Sequence, residues 1–256
     1  MSLSRISYIA GSISHCCLAG IGAALYFSAR FEWPWCRPML GALVASLIAA
    51  LIIGVVSLLA RQREDTVIGA LWAVGMAIGL LFIAKTPGYV DPMSYLFGNI
   101  LLLTLQDLWY VVVLDAVVLT ISILFHNRFL AVCFDEEYAS LRGIRVHAYY
   151  LLLLCLTALT IVLMVSVVGI VMVIALFTLP AAVAGHCTRR LRPMMVLAVL
   201  FCAAFTTTGL GLSYSLDLPT GPVVIMVAGM TYLGAIILSW FIRRVRASGG
   251  SQRLSQ

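Results

Sequence analysis

Charge is scarce in this chain. Of 256 residues only 10% are Asp, Glu, Lys or Arg, where a soluble domain carries about 25%. Hydrophobic residues make up 63% and mean hydropathy is +1.10. A soluble globule of this size could not keep that much apolar surface from water, because a large share of any folded surface faces solvent. A cytosolic enzyme, a disordered chain and a secreted disulfide scaffold are thereby excluded. Lysine occurs once, at Lys85, and Ala84 precedes it. A P-loop needs Gly-x-x-x-x-Gly-Lys-Ser/Thr so that backbone amides and a lysine cradle the phosphates, so the chain lacks that means of hydrolysing ATP. None of His15, His126, His147 and His186 is followed by Glu, which removes the His-Glu-x-x-His zinc protease. The seven cysteines form no Cys-x-x-Cys pair and most fall in apolar runs, where cysteine packs as a small hydrophobe. No Ala-x-Ala-like cleavage site follows the first apolar run.

What is present is a series of long apolar segments. A helix needs about 20 such residues to cross a bilayer core. Windows free or nearly free of charge predict spans over roughly 6–29, 38–60, 66–84, 105–125, 147–165, 168–187, 193–214 and 219–242. The fifth and sixth come from one charge-free stretch of 43 residues, 146–188, roughly 65 Å as a helix and twice a ~30 Å core. It must turn back, and Ser166–Gly169 is the expected place. Strands are a poor alternative, since barrel segments alternate in polarity every residue and these do not. The expected fold is an all-α polytopic membrane protein of about eight helices. Gly75 and Gly79 have the small-xxx-small spacing that lets two membrane helices approach.

Arginine orients the chain. With the first terminus inside, thirteen arginines lie on the cytoplasmic side, and only Arg30, Arg37 and Lys85 lie outside. The positive-inside rule therefore places both termini in the cytoplasm. The net charge of +6 reports topology, and no nucleic-acid partner is expected.

One connection stands out. Between Phe125 and Val146, Asp135, Glu136 and Glu137 open a short helix of about 134–144, where acids favour the positive end of the helix dipole. Arg142 comes near its end and Gly143 stands where a left-handed stop belongs. Tyr138, Leu141 and Ile144 can share a face, giving a membrane-surface element, a docking knob or a solvated loop helix.

The run Phe134-Asp-Glu-Glu-Tyr-Ala-Ser-Leu-Arg-Gly-Ile resembles the coupling segment in permeases of the metal-ion ABC importers, which handle zinc, manganese or iron. Five further stretches are similar to that family in the same order. They are Ile13-Ser-His-Cys-Cys-Leu-Ala-Gly, Arg63-Glu-Asp-Thr-Val-Ile-Gly, Ser94-Tyr-Leu-Phe-Gly-Asn-Ile-Leu, Leu179-Pro-Ala-Ala and Ser213-Tyr-Ser-Leu-Asp-Leu-Pro-Thr-Gly-Pro. The resemblance implies one permease domain over 1–256 in a bacterial cytoplasmic (inner) membrane. It implies that Asp135, Glu136, Glu137, Tyr138, Ala139, Leu141, Arg142, Gly143 and Ile144 dock a separate ATP-binding cassette subunit. Two such subunits, a second permease copy (identical or a paralogue) and an extracytoplasmic metal-binding protein complete the implied assembly. Two departures from the family pattern stand out. Family members usually begin with a further hydrophobic span before the Ser-His motif, and this chain starts at about the residue where that span would end, which implies that the family's first helix is missing from it. Many members also have Asp four residues before the histidine, where this chain has Gly11.

No resident cofactor is expected, the metal being cargo. A divalent ion crossing a low-dielectric core needs a few loosely held ligands in place of its hydration shell. Ionisable groups within spans are costly and therefore candidates. His15, two to three turns into the first span, is one, although a histidine bonded to a helix carbonyl is the plain alternative. Asp115, near the middle of the fourth span, is another: a carboxylate buried there lines a path, pairs with a polar neighbour or stays protonated. Asp107 and Asp91 lie near the outer mouth. Met164, Met172, Met226 and Met230 read as packing. Pro180 is expected to kink its helix and free a carbonyl. A metal chelate is the alternative cargo, and an ATP-independent channel or carrier the alternative class.

Overall fold

The computed structural model describes residues 3–251 except 32, 34–35, 60–63, 88–91, 99–104, 135 and 189. Every regular element among these residues is an α-helix: α1 (Leu3–Phe31), α2 (Pro38–Leu59), α3 (Glu64–Lys85), α4 (Pro92–Phe97), α5 (Leu105–Leu124) and α6 (His126–Phe134). Then follow α7 (Glu136–Leu141), α8 (Val146–Val168), α9 (Ile170–Cys187), α10 (Leu191–Leu216) and α11 (Thr220–Ser251). Seven are long and apolar enough to cross a membrane, and the bent pair α5–α6 raises the number to eight. That agrees with the eight expected spans. By internal packing the chain divides into two compact units, Met1–Ile174 and Ala175–Gln256.

In the first unit α1 is the central helix, with α2, α3 and α8 packed on it. Lipid tails are as apolar as leucine, so close van der Waals packing has to hold membrane helices together. Glycine makes this possible here. A Cβ at Gly20 would stand 2.0 Å from the Gly41 carbonyl oxygen, so the α1 and α2 backbones touch. On the other side, a Cβ at Gly22 would stand 2.5 Å from the Gly79 carbonyl oxygen, and one at Gly75 3.1 Å from Cys16 Cα. The four-residue spacing of Gly75 and Gly79 thus does admit a neighbouring helix, and that helix is α1. Many serine and threonine hydroxyls within the spans donate to carbonyls of their own helix, as Ser14 does to Ala10 (2.8 Å) and Thr157 to Leu153 (2.8 Å), and these need no water to satisfy them.

The charge-free stretch 146–188 breaks inside the expected window. Gly169, at φ 82° and ψ 163°, separates α8 from α9. Gly98, at φ 73°, ends α4 and lies against that break. A Cβ on Gly169 would be 2.2 Å from the Gly98 nitrogen, and one on Gly98 2.4 Å from the Val168 carbonyl carbon.

Several elements differ from expectation. Residues 126–133, placed outside any expected helix, fold with Phe134 into α6, bent 70° from α5. Phe129 gives this segment an anchor, buried in a cluster with Val118 and Leu156. The sequence does not predict helix α4, because six residues are too few to show a period. The coupling helix is shorter than 134–144, running Glu136–Leu141. Helix α11 runs on to Ser251, past the arginines that follow its apolar run.

In the second unit α10 and α11 form a hairpin. Asp217 caps α10 in the left-handed conformation (φ 52°, ψ 43°), donating its N–H to the Ser213 carbonyl. The Ser213 hydroxyl donates to the Leu218 carbonyl at 2.6 Å. Val183, Phe205 and Ala228 form the core of this unit. Helix α9 runs through Pro180 without interruption, and the proline offers no N–H to the carbonyl four residues back, that of Leu176.

Candidate functional site

Two places bring the candidate residues into defined surroundings. The first is on α1. His15 is 7% exposed, and its Nδ1 lies 3.0 Å from the Gly11 carbonyl oxygen, one turn back. Its ring stacks on Trp72 of α3, with centroids 4.6 Å apart and planes 29° from parallel. The indole can reach there only because residue 11 has no side chain: a Cβ on Gly11 would stand 2.3 Å from Trp72 Cζ3. The departure from Asp at position 11 is therefore matched by an aromatic ring in the space a carboxylate would take. Beside it, the Ser12 hydroxyl is fully buried and has no hydrogen-bond partner among the described residues.

This arrangement makes a prediction. Gly11→Asp alone forces the indole aside and is expected to destabilise the protein by about 1–3 kcal/mol, as overpacking does. Trp72→Ala removes the ring and carries its own truncation cost, but in that background the same Gly11→Asp change should cost much less. Thermal midpoints of the parent, the two single variants and the double variant in detergent check it, and a Gly11→Asp loss of equal size with and without Trp72 would rule the explanation out.

The second place is the connection between α5 and α8. Helix α7 packs on α6 and α8, with Ala139 turned fully inward at 0% exposure while Tyr138 and Leu141 stand 48% and 88% exposed. Its end is a Schellman stop: Gly143 N–H donates to the Ser140 carbonyl (2.9 Å) and Ile144 N–H to the Ala139 carbonyl (3.1 Å). Gly143 sits at φ 73°, as the sequence position predicts. The Arg142 guanidinium lies over the Tyr138 ring, 4.9 Å from its centroid. Glu137 is exposed, Ile144 half-buried, Glu136 opens the helix, and Asp135 lies outside the described residues.

His15 and Asp115, two of the expected path residues, are not brought together. The helices packed on α1 are α2, α3 and α8, whereas α5 packs on α8. Asp115 is not buried, as expected from its place in the span, but exposed on α5. A run of apolar residues around the whole helix concealed which face turned inward. Asp107 lies in the first turn of α5, and its side chain is outside the described residues. Among the described residues no group of three or more His, Cys, Asp or Glu side chains is placed to hold a metal ion. Trp72 escaped the sequence reading because its partner Gly11 is 61 positions away, and neither residue carries charge.

Seven long apolar helices, with every regular element among the described residues α-helical, define a multi-span membrane protein. The chain belongs to the ABC 3 transport family, which residues 1–239 match. Chlamydia pneumoniae has a relative named "probable metal transport system membrane protein", 39% identical over 91% of this chain and 80% of that protein. The manganese transport system membrane protein MntC of Halalkalibacterium halodurans is 34% identical over 93% of this chain and 79% of its own length. Among solved structures, PsaBC from Streptococcus pneumoniae in complex with Fab aligns with a TM-score of 0.72 and 25% identity, covering 90% of this chain and 87% of that one.

Proposed function

We propose that this chain is the membrane-spanning subunit of an ATP-driven importer of a divalent metal ion. ATP is hydrolysed by a separate cassette subunit docked on α7, present in two copies beside a second permease, and an extracytoplasmic metal-binding protein delivers the cargo. The observation that carries this reading is α7 itself. Its inner residue Ala139 is packed against the body of the protein, while Leu141 stands 88% exposed and Tyr138, with the Arg142 guanidinium over its ring, is half exposed, a short helix that offers an outward apolar surface. The metal is cargo, and no resident cofactor is required. Relatives named for manganese make Mn²⁺ the first ion to try, ahead of Zn²⁺ and Fe²⁺.

Asp115 belongs to the path in this reading. A carboxylate exposed midway along a span is costly against lipid, so its surroundings in the assembly are polar: water, an ion or the second permease. His15 and Asp107 are the other path positions. The test is the complex with its ATPase and binding protein in liposomes, with ATP-driven uptake titrated for each ion in turn. One ion is expected to drive uptake several-fold above background, and Asp115→Asn is expected to lower it more than tenfold with the assembly intact. Lack of uptake or ATPase stimulation by any divalent ion would overturn the bare-ion reading.

A further inference from the structure

The bend between α5 and α6 is closed by a group that the docking role does not use. Arg128 lies one turn into α6, with its guanidinium 5.4 Å from the Phe125 ring centroid and 5.4 Å from that of Tyr149 on α8. It also donates a hydrogen bond from Nη1 to the Tyr149 hydroxyl. The rings beneath it interlock: Phe125 to Tyr149 at 5.8 Å, Phe129 to Tyr149 at 6.3 Å edge-on, and Phe125 to Phe129 at 6.3 Å edge-on. Phe129 is anchored in the cluster with Val118 and Leu156. One planar cation thus ties the bend, α6 and the start of α8 together. Arginine suits the position, because a flat guanidinium stacks on ring faces and still donates in its own plane.

Next along α8, the Tyr150 hydroxyl donates to Ser57 Oγ of α2 at 3.0 Å. Helix α7 rests on both α6 and α8. A push on α7 can therefore reach the membrane helices by two routes, directly onto α8 or through α6. In the second route, a free hinge at Phe125 would let α6 swing and dissipate the motion.

We propose that the Arg128–Tyr149 clasp locks this hinge, so that displacement of α7 is delivered to α8 and α2. Arg128 is a positioning residue for coupling and touches neither ATP nor metal. The proposal rests on the reading that α7 docks an ATPase.

The experiment measures metal uptake and ATP hydrolysis together in liposomes holding the permease, its ATPase and its binding protein. Arg128→Gln is expected to lower the metal moved per ATP about tenfold, with ATP hydrolysis within about twofold of the parent. Tyr149→Phe keeps the ring, loses the hydrogen bond and should lower the ratio by a few-fold. The double variant should be no worse than Arg128→Gln, since both remove one clasp. Arg128→Lys keeps the inside charge without the planar fork, so it should stay below half the parent ratio. A parent ratio in Arg128→Gln or in Arg128→Lys would overturn the clasp, as would single effects that multiply in the double variant. Loss of the ATPase from purified Arg128→Gln or Tyr149→Phe complexes would overturn it too, making the pair a docking determinant. A parent complex without ATP-driven uptake would instead defeat the importer reading.

Discussion

Gly169→Ala is expected to leave little or no correctly folded protein. At φ 82° and ψ 163° the residue occupies a backbone region that is essentially glycine's alone, worth about 1–3 kcal/mol of strain for any other residue. The new methyl would also lie 2.2 Å from the Gly98 nitrogen and 2.6 Å from the Phe97 carbonyl carbon. These are backbone atoms of another segment, so no rotamer change relieves the clash, and overpacking adds about 1–3 kcal/mol more. Gly143→Ala provides the control. It shares a positive φ of 73°, but nothing lies within 4 Å of where its methyl would stand, so only the left-handed penalty of about 1–2 kcal/mol applies. Yield of monodisperse protein and thermal midpoint should fall far more for Gly169→Ala than for Gly143→Ala. Equal losses would mean that the Gly98–Gly169 junction is not the tight contact described.

Gly79→Leu should separate α1 from α3. A Cβ there would meet the Leu18 carbonyl carbon at 2.7 Å, and the rest of the side chain would push into the α1 backbone. Overpacking against a main chain belongs at the top of the usual 1–3 kcal/mol range, which lowers a midpoint by about 10 °C in a chain of this size. Gly69→Leu, on the same helix, opens onto empty space and should shift it by no more than about 2 °C. The contrast removes helix propensity as an explanation, since both variants replace glycine by leucine in one helix. A Gly69→Leu midpoint as low as that of Gly79→Leu would contradict the packing described for α1.

Much of this was legible in the sequence, for reasons that differ by element. The spans follow from length and apolarity alone. The turn at Gly169 followed from arithmetic, since 43 charge-free residues exceed one bilayer. Gly143 was readable because a left-handed stop has a local signature. What stayed hidden depends on distant partners. Arg128 reads as one more inside charge, and only the fold puts Tyr149 beneath it. Asp115 reads as buried because spans are usually packed, yet α5 is covered mainly on the side of Val118. The glycines of α1 showed their purpose only once Gly41 and Gly79 were set against them.

The indole over His15 bears on how long an ion can linger. If cargo passes along α1, it meets one imidazole there, backed by an aromatic ring, with no carboxylate at position 11. A single nitrogen donor makes a shallow energy well, and a divalent ion leaves a shallow well quickly. Under the proposed function, release on this stretch would be fast, and discrimination between metals would fall to the protein that hands the ion over. Gly11, by admitting the indole where a carboxylate would stand, would then set how long an ion stays at α1.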